Sequence, residues 1–409
     1  MSNMGNVTRN TIAMVLAGGK GERLSPITLS RPKPGVPFGG KYKIIDFVLS
    51  NLFNSGIKKV YILTQYRAYS LNKHIKESWA KWTGLGEFYD TISPETSSAG
   101  EEWFKGTADA IFQFLRFIEA SDAEYVAIFG GDHIYKMDIS QMIIYHNLSK
   151  ADITVAALEV PAEEAKGFGI CSVDEDCRVT AFTEKPEAPE TIPGKDTCLA
   201  SMGNYIFSKK KLIKVLQEGK KKHADLDFGK HVIPMMLAKG DRVFAYNFID
   251  NWIPGMNPKE KGYWKDVGAI DTYYAANMDL VNVDPQLNLY NYKWPIITNQ
   301  SNLPPAKTVF DEDGRRGQNL DSYVCGGCIN SGGTVRRSIV GPRSVIHSYS
   351  LVEDSILFDN VDIGRYAKIR RAIIDENIKI PEGAEIGYNH EEDRRRGYTV
   401  TESGIVVVT

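Results

Sequence analysis

A glycine-rich loop with basic residues lies close to the N-terminus, directly after an apolar run of strand length. The run Ile12–Leu16 leads into the segment LAGGKGERL at residues 16–24. Backbone N–H groups in such a loop can approach phosphate oxygens at the ligand-binding edge of a parallel sheet. The spacing matches neither the dinucleotide fingerprint nor the Walker A loop, so a tight turn with incidental glycines is the alternative. Arg23 and Lys33, the latter between two prolines, favour a triphosphate ligand.

One aspartate follows a strand-length run, and a second aspartate lies ahead of a helical stretch. Asp132 follows the apolar run at 125–131, and Asp266 lies just ahead of a helical stretch at Ile270–Val281. A reaction at a triphosphate needs a hard dication held by a few carboxylates and by substrate oxygens, because Mg²⁺ keeps much of its water. Each aspartate could equally be a turn or cap residue. The spacing of the two does not by itself pair them.

The elements that must position these residues alternate between short apolar runs and helical periodicity. Strand-length runs recur at Val60–Leu63, Tyr125–Phe129 and Ile153–Glu159. Helical patterns at Asp46–Ser55 and Thr107–Glu119 lie between them. Repetition of strand, helix and strand predicts an α/β domain, in which a mainly parallel sheet is covered on both faces.

A different period begins after Asn302. Aliphatic residues recur every six positions, slip once by one position, and resume; they are Ile339, Val345, Leu351, Leu357, Ile363 and Ile369, followed by Ile374, Ile380 and Ile386. Neither a helix nor an ordinary strand produces this period. A hexapeptide repeat predicts a parallel β-helix whose coils stack one inward apolar side chain above the next. Such solenoids usually serve assembly or regulation.

Composition narrows the class of protein. The chain has 409 residues, 43% of them hydrophobic and 24% charged, with a formal net charge of −2. This balance gives no global electrostatic reason to expect binding to nucleic acid or to a membrane surface. No run approaches 18 consecutive apolar residues, and the first residues lack the apolar core of a signal peptide. The chain also has only five cysteines, so we expect a cytoplasmic protein without disulfides.

The motifs taken together resemble one family. The glycine loop with Lys33-Pro34 resembles the sugar-nucleotide pyrophosphorylases. The order of the further segments is similar to the ADP-glucose pyrophosphorylase (glucose-1-phosphate adenylyltransferase) family from near the N-terminus to residue 408; they are FGGKYKIIDF (38–47), GTADA (106–110), GDHIYK (131–136), FTEKP (182–186), YWKDVG (263–268), LPPAK (303–307) and GIVVV (404–408). The resemblance implies a Rossmann-like nucleotidyltransferase domain over residues 1–300 and a linker with a left-handed β-helix over 301–409. It also implies Mg²⁺ and a homotetramer.

The resemblance also implies roles for individual residues. ATP would be bound by the glycine loop, the segment after the second strand, and a helix start; the residues are Leu16, Ala17, Gly18, Gly19, Gln65, Gly106 and Thr107. Glucose 1-phosphate would be bound by Phe104, Gly169, Glu184, Lys185 and Ser201, with Lys185 on its phosphate. Catalysis would rest on Arg23, Lys33, Asp132 and Asp266, and the two aspartates would hold the metal. Many family members have Tyr where Phe104 stands, so a contact through that hydroxyl is absent here.

Regulation by a phosphorylated metabolite is a further implication. Basic groups between the two domains could form such a site, although a solvated basic surface explains them equally well; they are Arg31, Lys41, Lys43, Arg370, Arg371 and Arg394–Arg396. The chain departs from the pattern activated by fructose 1,6-bisphosphate and inhibited by AMP at Ser30, Pro37, Ala120 and Thr399. We therefore expect weak or different regulation.

A cysteine pair and a histidine are expected to have structural roles. The pair Cys325 and Cys328 lacks the four ligands of a zinc site, so we expect structural thiols. His133 is expected to be structural, because an ionised phosphate nucleophile needs no general base.

Three alternative functions remain: a non-catalytic regulatory subunit of the same family, a pyrophosphorylase that uses UTP, dTTP or GTP, and a subunit of a translation-initiation exchange factor. The first and third would be expected to lack the Asp and Lys site residues or their motifs.

Overall fold

The computed structural model describes residues 4–94, 96–97, 100–101, 103–192 and 194–409. In this described part, the N-terminal region is built on a nine-stranded sheet. Its strands are Thr11–Ala17, Lys59–Thr64, Phe88–Ile92, Tyr125–Gly130, Ile153–Pro161, Gly169–Val173, Val179–Glu184, Thr197–Ser208 and Val243–Asn247. Short two-stranded pairings lie outside this sheet; they are Pro37–Phe38 with Tyr42–Lys43, Thr96–Ser97 with Gly100–Glu101, and His133–Tyr135 with Trp264–Asp266.

The sheet is parallel around the glycine loop and mixed at its other end. Thr11–Ala17 pairs in parallel with Lys59–Thr64 on one side and with Tyr125–Gly130 on the other. The long strand Thr197–Ser208 runs antiparallel to Tyr125–Gly130 and to Ile153–Pro161. The predicted mainly parallel α/β sheet is therefore confirmed, with an antiparallel extension that the repeating pattern did not reveal.

Both faces of the sheet are buried, as the continuous apolar runs predicted. In the first strand, Ile12 and Met14 belong to one hydrophobic cluster, whereas Ala13, Val15 and Ala17 belong to the cluster on the opposite face. Alternate side chains point to opposite faces of a strand, so a strand that is covered on both sides needs apolar residues at every position.

Helices cover these two faces and the edge of the sheet. The α-helices of the described residues are Met4–Arg9, Ile44–Asn54, Tyr69–Trp79, Thr107–Gln113, Leu115–Ala120, Ile139–Leu148, Ala162–Ala165, Lys209–Lys220, Ile233–Ala238, Ile270–Asp279 and His390–Arg395. The helix predicted at Thr107–Glu119 is divided at Phe114, whose φ of −108° and ψ of 19° leave the helical range. None of the described helices is both long and apolar enough to cross a membrane.

The C-terminal region is a stack of short parallel strands in three sheets, the arrangement of the expected left-handed β-helix. The first sheet contains Lys307–Val309, Ile329–Ser331, Val345–Ile346, Asp362–Ile363 and Lys379–Ile380. The second contains Gln318–Leu320, Thr334–Arg336, Leu351–Glu353, Lys368–Arg370 and Glu385–Ile386. The third contains the parallel strands Tyr323–Val324, Ile339–Val340, Ile356–Leu357, Ala372–Ile374 and Val406–Val408, and Thr399–Val400 pairs antiparallel with the last of them. A two-stranded pairing of Asp311–Glu312 with Arg315–Arg316 lies beside the first coil.

The register of the coils corrects the first half of the predicted repeat. One coil advances by 17 residues, because Val335 pairs with Val352 and Val352 pairs with Ile369. Three faces per 17 residues require inward steps of five or six, not six throughout. Ile346 and Val352 are consequently the fully buried residues, and the predicted Val345 and Leu351 are only half-buried. The later residues of the series, from Leu357 to Ile386, point inward as predicted.

A stripe of apolar residues on the outside of the β-helix faces the N-terminal region. Ile339, Ile356, Ile373 and Val407 share one hydrophobic cluster with Tyr273 and other residues of the helix Ile270–Asp279. Three of these aliphatic residues lie in register on successive coils. The hexapeptide region therefore packs firmly against the helix that follows Asp266. Ile339, which the repeat predicted to point inward, belongs to this contact instead.

The corrected register makes a prediction about stability. Val352→Ala removes two methyl groups from the inner column of the β-helix, so we expect the free energy of unfolding to fall by about 1–3 kcal/mol. Val345→Ala is the matched control on the half-buried outer face, and its loss should be less than half as large. Chemical denaturation of both variants measures this difference. Equal losses would mean that the original six-residue series describes the core.

Candidate active site

A buried lysine lies between the two predicted carboxylates. Lys33 Nζ donates to Asp132 Oδ2 at 3.0 Å and to Asp266 Oδ1 at 2.7 Å. Lys33 is only 5% exposed, in a short turn between two prolines. The turn packs tightly, since a Cβ at Gly21, whose φ is +66°, would lie 2.8 Å from the Lys33 Cβ. The four predicted catalytic residues meet here, because Arg23 NH2 also reaches Asp266 Oδ2 at 3.5 Å.

A short antiparallel ribbon explains how the two aspartates meet. The strands His133–Tyr135 and Trp264–Asp266 pair so that Asp266 lies opposite His133. Asp132 directly precedes the first of these strands and stands beyond the end of Tyr125–Gly130. The ribbon therefore brings together carboxylates that are far apart in the sequence, at the carboxyl end of the parallel strands, where α/β sheets bind ligands.

Opposite charges keep this cluster ionised. Burial alone would raise the pKa of Asp132, but the nearby His133 and Lys33 outweigh it and lower that pKa to about 2. Burial acts to lower the pKa of Lys33, whereas Asp132 and Asp266 raise it more strongly, so the net pKa is raised. Asp132 is therefore ionised at neutral pH, beside the ammonium group of the buried Lys33.

The donor set suits a hard cation. Asp132 and Asp266 both turn an oxygen toward one shared cation, the Lys33 ammonium, and both side chains remain partly open to solvent. Within the described part of the chain, no group of three or more Asp, Glu, His or Cys side chains is arranged to hold a metal. Two carboxylates with the remaining positions free for water and phosphate oxygens are typical of Mg²⁺ sites.

The glycine loop packs against the predicted nucleotide-binding residues. The Leu16 carbonyl accepts a hydrogen bond from the Gly131 N–H at 2.9 Å, which ties the loop to the Asp132 segment. A Cβ at Gly18 would lie 3.2 Å from the Gln65 Cβ and 3.3 Å from the Phe104 ring. The Phe104 N–H donates to Gln65 Oε1 at 2.7 Å. The structure thus brings Phe104 to the glycine loop, although the sequence analysis had grouped it with the sugar phosphate.

Gly106 and Thr107 pack closely against the loop that contains Leu226 and Asp227. A Cβ at Gly106 would lie 2.4 Å from the Leu226 carbonyl oxygen, so only glycine fits there. The Thr107 hydroxyl donates to Asp227 Oδ2 at 2.8 Å. The other carboxylate oxygen of Asp227 accepts hydrogen bonds from the Gly229 and Lys230 N–H groups. Sequence analysis missed Asp227, although an Asp two residues before a Gly is typical of a capping turn.

Two of the predicted sugar-phosphate residues, Gly169 and Glu184, lie together, and the Glu184 carboxylate packs against two glycines. Gly169 lies opposite Glu184 in an antiparallel pair of strands. A Cβ at Gly169 would lie 2.8 Å from Glu184 Oε2, and one at Gly229 would lie 2.3 Å from it. Partial burial and the charge of Asp227 raise the pKa of Glu184. Gly229 is a second residue that the sequence analysis missed.

Lys185 lies beside Glu184, whereas Ser201 lies on a strand that pairs with the strand of Gly169. Lys185 is exposed, with a φ of +47°, and its Nζ lies 4.0 Å from Glu184 Oε1. Its backbone N–H donates to the Phe168 carbonyl at 3.1 Å, which holds the turn. Ser201 is nearly buried in the strand Thr197–Ser208 and accepts a hydrogen bond from the Gly203 N–H at 3.2 Å. An exposed ammonium beside a recessed carboxylate can bind a phosphate and a hydroxyl of one ligand.

The basic residues predicted as an effector site are distributed over separate places. Arg31 is buried and donates to Asp375 Oδ1 at 2.8 Å and to Glu376 Oε1 at 2.7 Å. Lys43 Nζ donates to the Gly35 carbonyl, and Lys41 lies over the Tyr42 ring. Arg395, on the helix His390–Arg395, and Arg396, directly after this helix, both form ion pairs with Glu392. Arg370 and Arg371 lie at a cavity beside the helix Ile270–Asp279.

Two family models match the N-terminal and the C-terminal regions of the chain separately. A family model described as nucleotidyl transferase covers residues 12–283, and one described as GlmU-like, C-terminal hexapeptide covers residues 304–408. A glucose-1-phosphate adenylyltransferase from Geobacter metallireducens is 78% identical over 405 residues, covering 99% of this chain and 98% of the relative. The chain belongs to the glucose-1-phosphate adenylyltransferase family.

Other members of the family show the same full-length agreement. The glucose-1-phosphate adenylyltransferase of Trichlorobacter lovleyi is 74% identical over 403 residues, covering 98% of each chain. That of an Anaeromyxobacter species is 52% identical over 403 residues, covering 97% of each chain. Membership of the glucose-1-phosphate adenylyltransferase family confirms the expected fold class and makes this chain a nucleotidyltransferase.

Gly268 is a further site residue; it ends the segment YWKDVG (263–268), but the sequence predicted no role for it. A Cβ there would lie 2.8 Å from Asp266 Oδ1, 2.9 Å from Arg23 NH2 and 3.2 Å from Lys33 Nζ. Gly268→Ala should therefore push the charged cluster apart, and we expect kcat to fall at least tenfold. Gly167→Ala is the control, because a Cβ at Gly167 meets nothing within 4 Å. Steady-state kinetics of both variants measure this; an unchanged kcat for Gly268→Ala would contradict the close packing.

Proposed function

We propose that this protein catalyses the reaction of ATP with α-D-glucose 1-phosphate to give ADP-α-D-glucose and diphosphate, the sugar-nucleotide-forming step of glycogen- or starch-type glucan synthesis. The observation that carries the proposal is the cluster in which Lys33 bridges Asp132 and Asp266. Its position beyond the parallel strands, next to a glycine loop, suits a triphosphate. The names of the full-length relatives supply the two substrates.

A continuous set of contacts supports binding of both substrates in one site. The glycine loop touches Gln65 and Phe104. Thr107 binds Asp227, whose loop contains Gly229, and Gly229 packs on the Glu184 carboxylate. Glu184 and Lys185 then form the group proposed for glucose 1-phosphate, with Glu184 toward sugar hydroxyls and Lys185 toward the phosphate. The nucleotide and the sugar phosphate would therefore lie side by side along one edge of the sheet.

The proposed reaction requires neutralisation of the triphosphate charge and alignment of the attacking phosphate with the α-phosphorus of ATP. A phosphate oxygen of glucose 1-phosphate attacks the α-phosphorus of ATP; the new P–O bond forms as the bond to diphosphate breaks in line. Arg23 and Lys33 neutralise the triphosphate, and Lys185 orients the attacking phosphate. Bound Mg²⁺, held by Asp132 and Asp266, would supply a hard cation against the phosphate oxygens. The attacking oxygen is already ionised, so no side chain has to remove a proton.

The first test is diphosphate release by the full chain with glucose 1-phosphate, Mg²⁺ and each of ATP, UTP, dTTP and GTP. We expect strong preference for ATP, and loss of turnover when a chelator removes the metal. Turnover with another nucleotide would keep the mechanism but assign a different sugar-nucleotide product. Absence of turnover with all four would favour the regulatory-subunit alternative.

Lys185 offers a second, more local test. Lys185→Gln removes the ammonium proposed for the sugar phosphate, so we expect the KM for glucose 1-phosphate to rise about tenfold or more, with a smaller change in the KM for ATP. Lys150→Gln is the matched control, because Lys150 is also exposed and has a similar φ of +49°. Initial-rate kinetics with each substrate varied separately give these values. Equal KM values in the Lys185→Gln variant and the control would exclude Lys185 from the phosphate site.

Assembly is the remaining part of the proposal. We infer that copies of the chain associate through the β-helix, whose surface exposes Ile329 and the stacked pair Tyr349 and Tyr366, with ring centroids 4.9 Å apart. Apolar and aromatic side chains of this kind are enriched at interfaces between subunits. The homotetramer, the boundary at residue 300 and the cytoplasmic location remain predictions.

A further inference from the structure

The turn that follows Asp227 and contains Gly229 has an unusual backbone geometry. Residues Phe228–Val232 form a single turn of π-helix, in which the Val232 N–H donates to the Asp227 carbonyl at 3.0 Å. This wide turn is rare in proteins and is frequently found at functional sites. Here it places Gly229 against the Glu184 carboxylate. The geometry of the turn therefore affects the group proposed to bind glucose 1-phosphate.

His231 binds both polar backbone groups of Asp227. The His231 N–H donates to the Asp227 carbonyl at 3.1 Å, and the Asp227 N–H donates to His231 Nδ1 at 3.1 Å. A backbone N–H can only donate, so Nδ1 must be the unprotonated nitrogen of the ring, and the proton of the neutral ring lies on Nε2. One residue thus fixes the backbone at the start of the turn.

A second histidine orients this ring. The rings of His223 and His231 stack with their centroids 4.1 Å apart and their planes inclined by 20°. His223 follows the helix Lys209–Lys220, and its N–H donates to the Gly219 carbonyl at 2.9 Å. The stack restricts rotation of the His231 ring, so Nδ1 stays directed at the Asp227 N–H.

The Asp227 side chain connects this backbone constraint to the site. Its Oδ2 accepts a hydrogen bond from the Thr107 hydroxyl, and its Oδ1 accepts hydrogen bonds from the Gly229 and Lys230 N–H groups. A Cβ at Gly229 would lie 2.3 Å from Glu184 Oε2, so the backbone of the turn and this carboxylate are in close contact. A displacement of the turn would therefore move the Glu184 carboxylate.

We propose that His231 is a positioning residue for the glucose 1-phosphate site, and that its unprotonated Nδ1 keeps the Glu184 carboxylate in place through the Asp227 turn. The inference rests on the proposed function for the identity of the ligand at Glu184. Protonation of Nδ1 would replace the acceptor by a donor that faces the Asp227 N–H, so the hydrogen bond would be lost. Histidine side chains ordinarily titrate at about pH 6.5, so affinity for glucose 1-phosphate should fall as the pH falls through this range.

Charges of both signs surround the turn. It packs against the helices Thr107–Gln113, Lys209–Lys220 and Ile233–Ala238 and against the strand Val179–Glu184. The charged and titratable groups near the ends of these elements, in the turn and in the loop before it are Asp109, Glu184, Glu218, Lys220, Lys221, Lys222, His223, Asp225, Asp227 and Lys230. Asp109 pairs with Lys220, and Glu218 pairs with Lys239. A substitution of His231 alone leaves all of these charges unchanged, so it isolates the hydrogen bond to Asp227.

Two substitutions separate the acceptor from the rest of the ring. His231→Asn places an amide oxygen near the position of Nδ1, so we expect a KM for glucose 1-phosphate within about twofold of that of the unaltered chain at pH 8. His231→Ala removes the acceptor, and we expect this KM to rise about threefold or more. The KM for ATP should change less, because Arg23 and Lys33 lie in the separate cluster with Asp266. His347→Ala is the matched control, because His347 is a partly exposed histidine of the β-helix.

The same kinetics at pH 5.5 and pH 8 test the role of protonation. Glucose 1-phosphate changes its own ionisation in this range, so variants are compared with one another at each pH. From pH 8 to pH 5.5, we expect the KM for glucose 1-phosphate to rise about threefold more in the unaltered chain and in His347→Ala than in His231→Asn, whose amide cannot be protonated. Thermal unfolding of each variant checks that it remains folded.

Three kinetic results would overturn the proposal. The first is an unchanged KM for glucose 1-phosphate in His231→Ala. The second is an equal rise of this KM in His231→Asn and His231→Ala, because the acceptor would then have no role. The third is the same dependence of this KM on pH in His231→Asn and the unaltered chain.

A measurement without catalysis tests the hydrogen bond itself. In ¹⁵N–¹H spectra of the full chain labelled at histidine, the His231 signals are assigned by their loss in His231→Asn. At pH 8 we expect the tautomer with its proton on Nε2. A proton on Nδ1 would overturn the proposal whatever the substrate. Failure of the proposed function would instead appear as absence of turnover with glucose 1-phosphate while this tautomer persists, so the two failures are distinguishable.

Discussion

The Lys33 ammonium group between Asp132 and Asp266 is the interaction on which the geometry of the site depends. It joins three segments separated by 99 and 233 residues in the sequence. Burying a charge is costly unless it is paired, so the buried Lys33 ammonium group needs the two carboxylates beside it. Gly21 and Gly268 leave the space in which they meet, because a side chain at either position would collide with the cluster. In the proposed reaction, this group of negative and positive charges at the end of the parallel strands would bind a metal-bound triphosphate.

The β-helix packs against the helix that follows Asp266. Its outer apolar stripe forms this contact, and the ion pairs of the buried Arg31 with Asp375 and Glu376 join the same two regions. Breaking one partner of such a buried pair leaves an uncompensated charge, which makes the relative position of the two regions specific.

Much of the fold was predictable because it follows from local periodicity. Strand-length apolar runs placed the glycine loop and Asp132 correctly, and the aliphatic repeat identified the β-helix. The repeat was wrong about Val345 and Leu351, because a six-residue period differs from a third of a 17-residue coil by a fraction of a residue. That fraction accumulates until the inward position shifts to the neighbouring residue. Asp227 and Gly229 were missed for another reason: they act through contacts with Thr107 and Glu184, which no local pattern encodes.

The sequence by itself determined the fold class, the family resemblance and the residue types available for chemistry at phosphates. Hydrophobic periodicity and glycine placement are local properties, so they can be read along the chain. Only the tertiary structure decided that Lys33 lies between the two aspartates, that Arg31 is held by two carboxylates, and that the Glu184 carboxylate packs against glycines. Charges interact through space and lose their strength within a few ångströms of separation in water. Which of them meet is therefore a property of strand pairing and packing, and not of spacing along the chain.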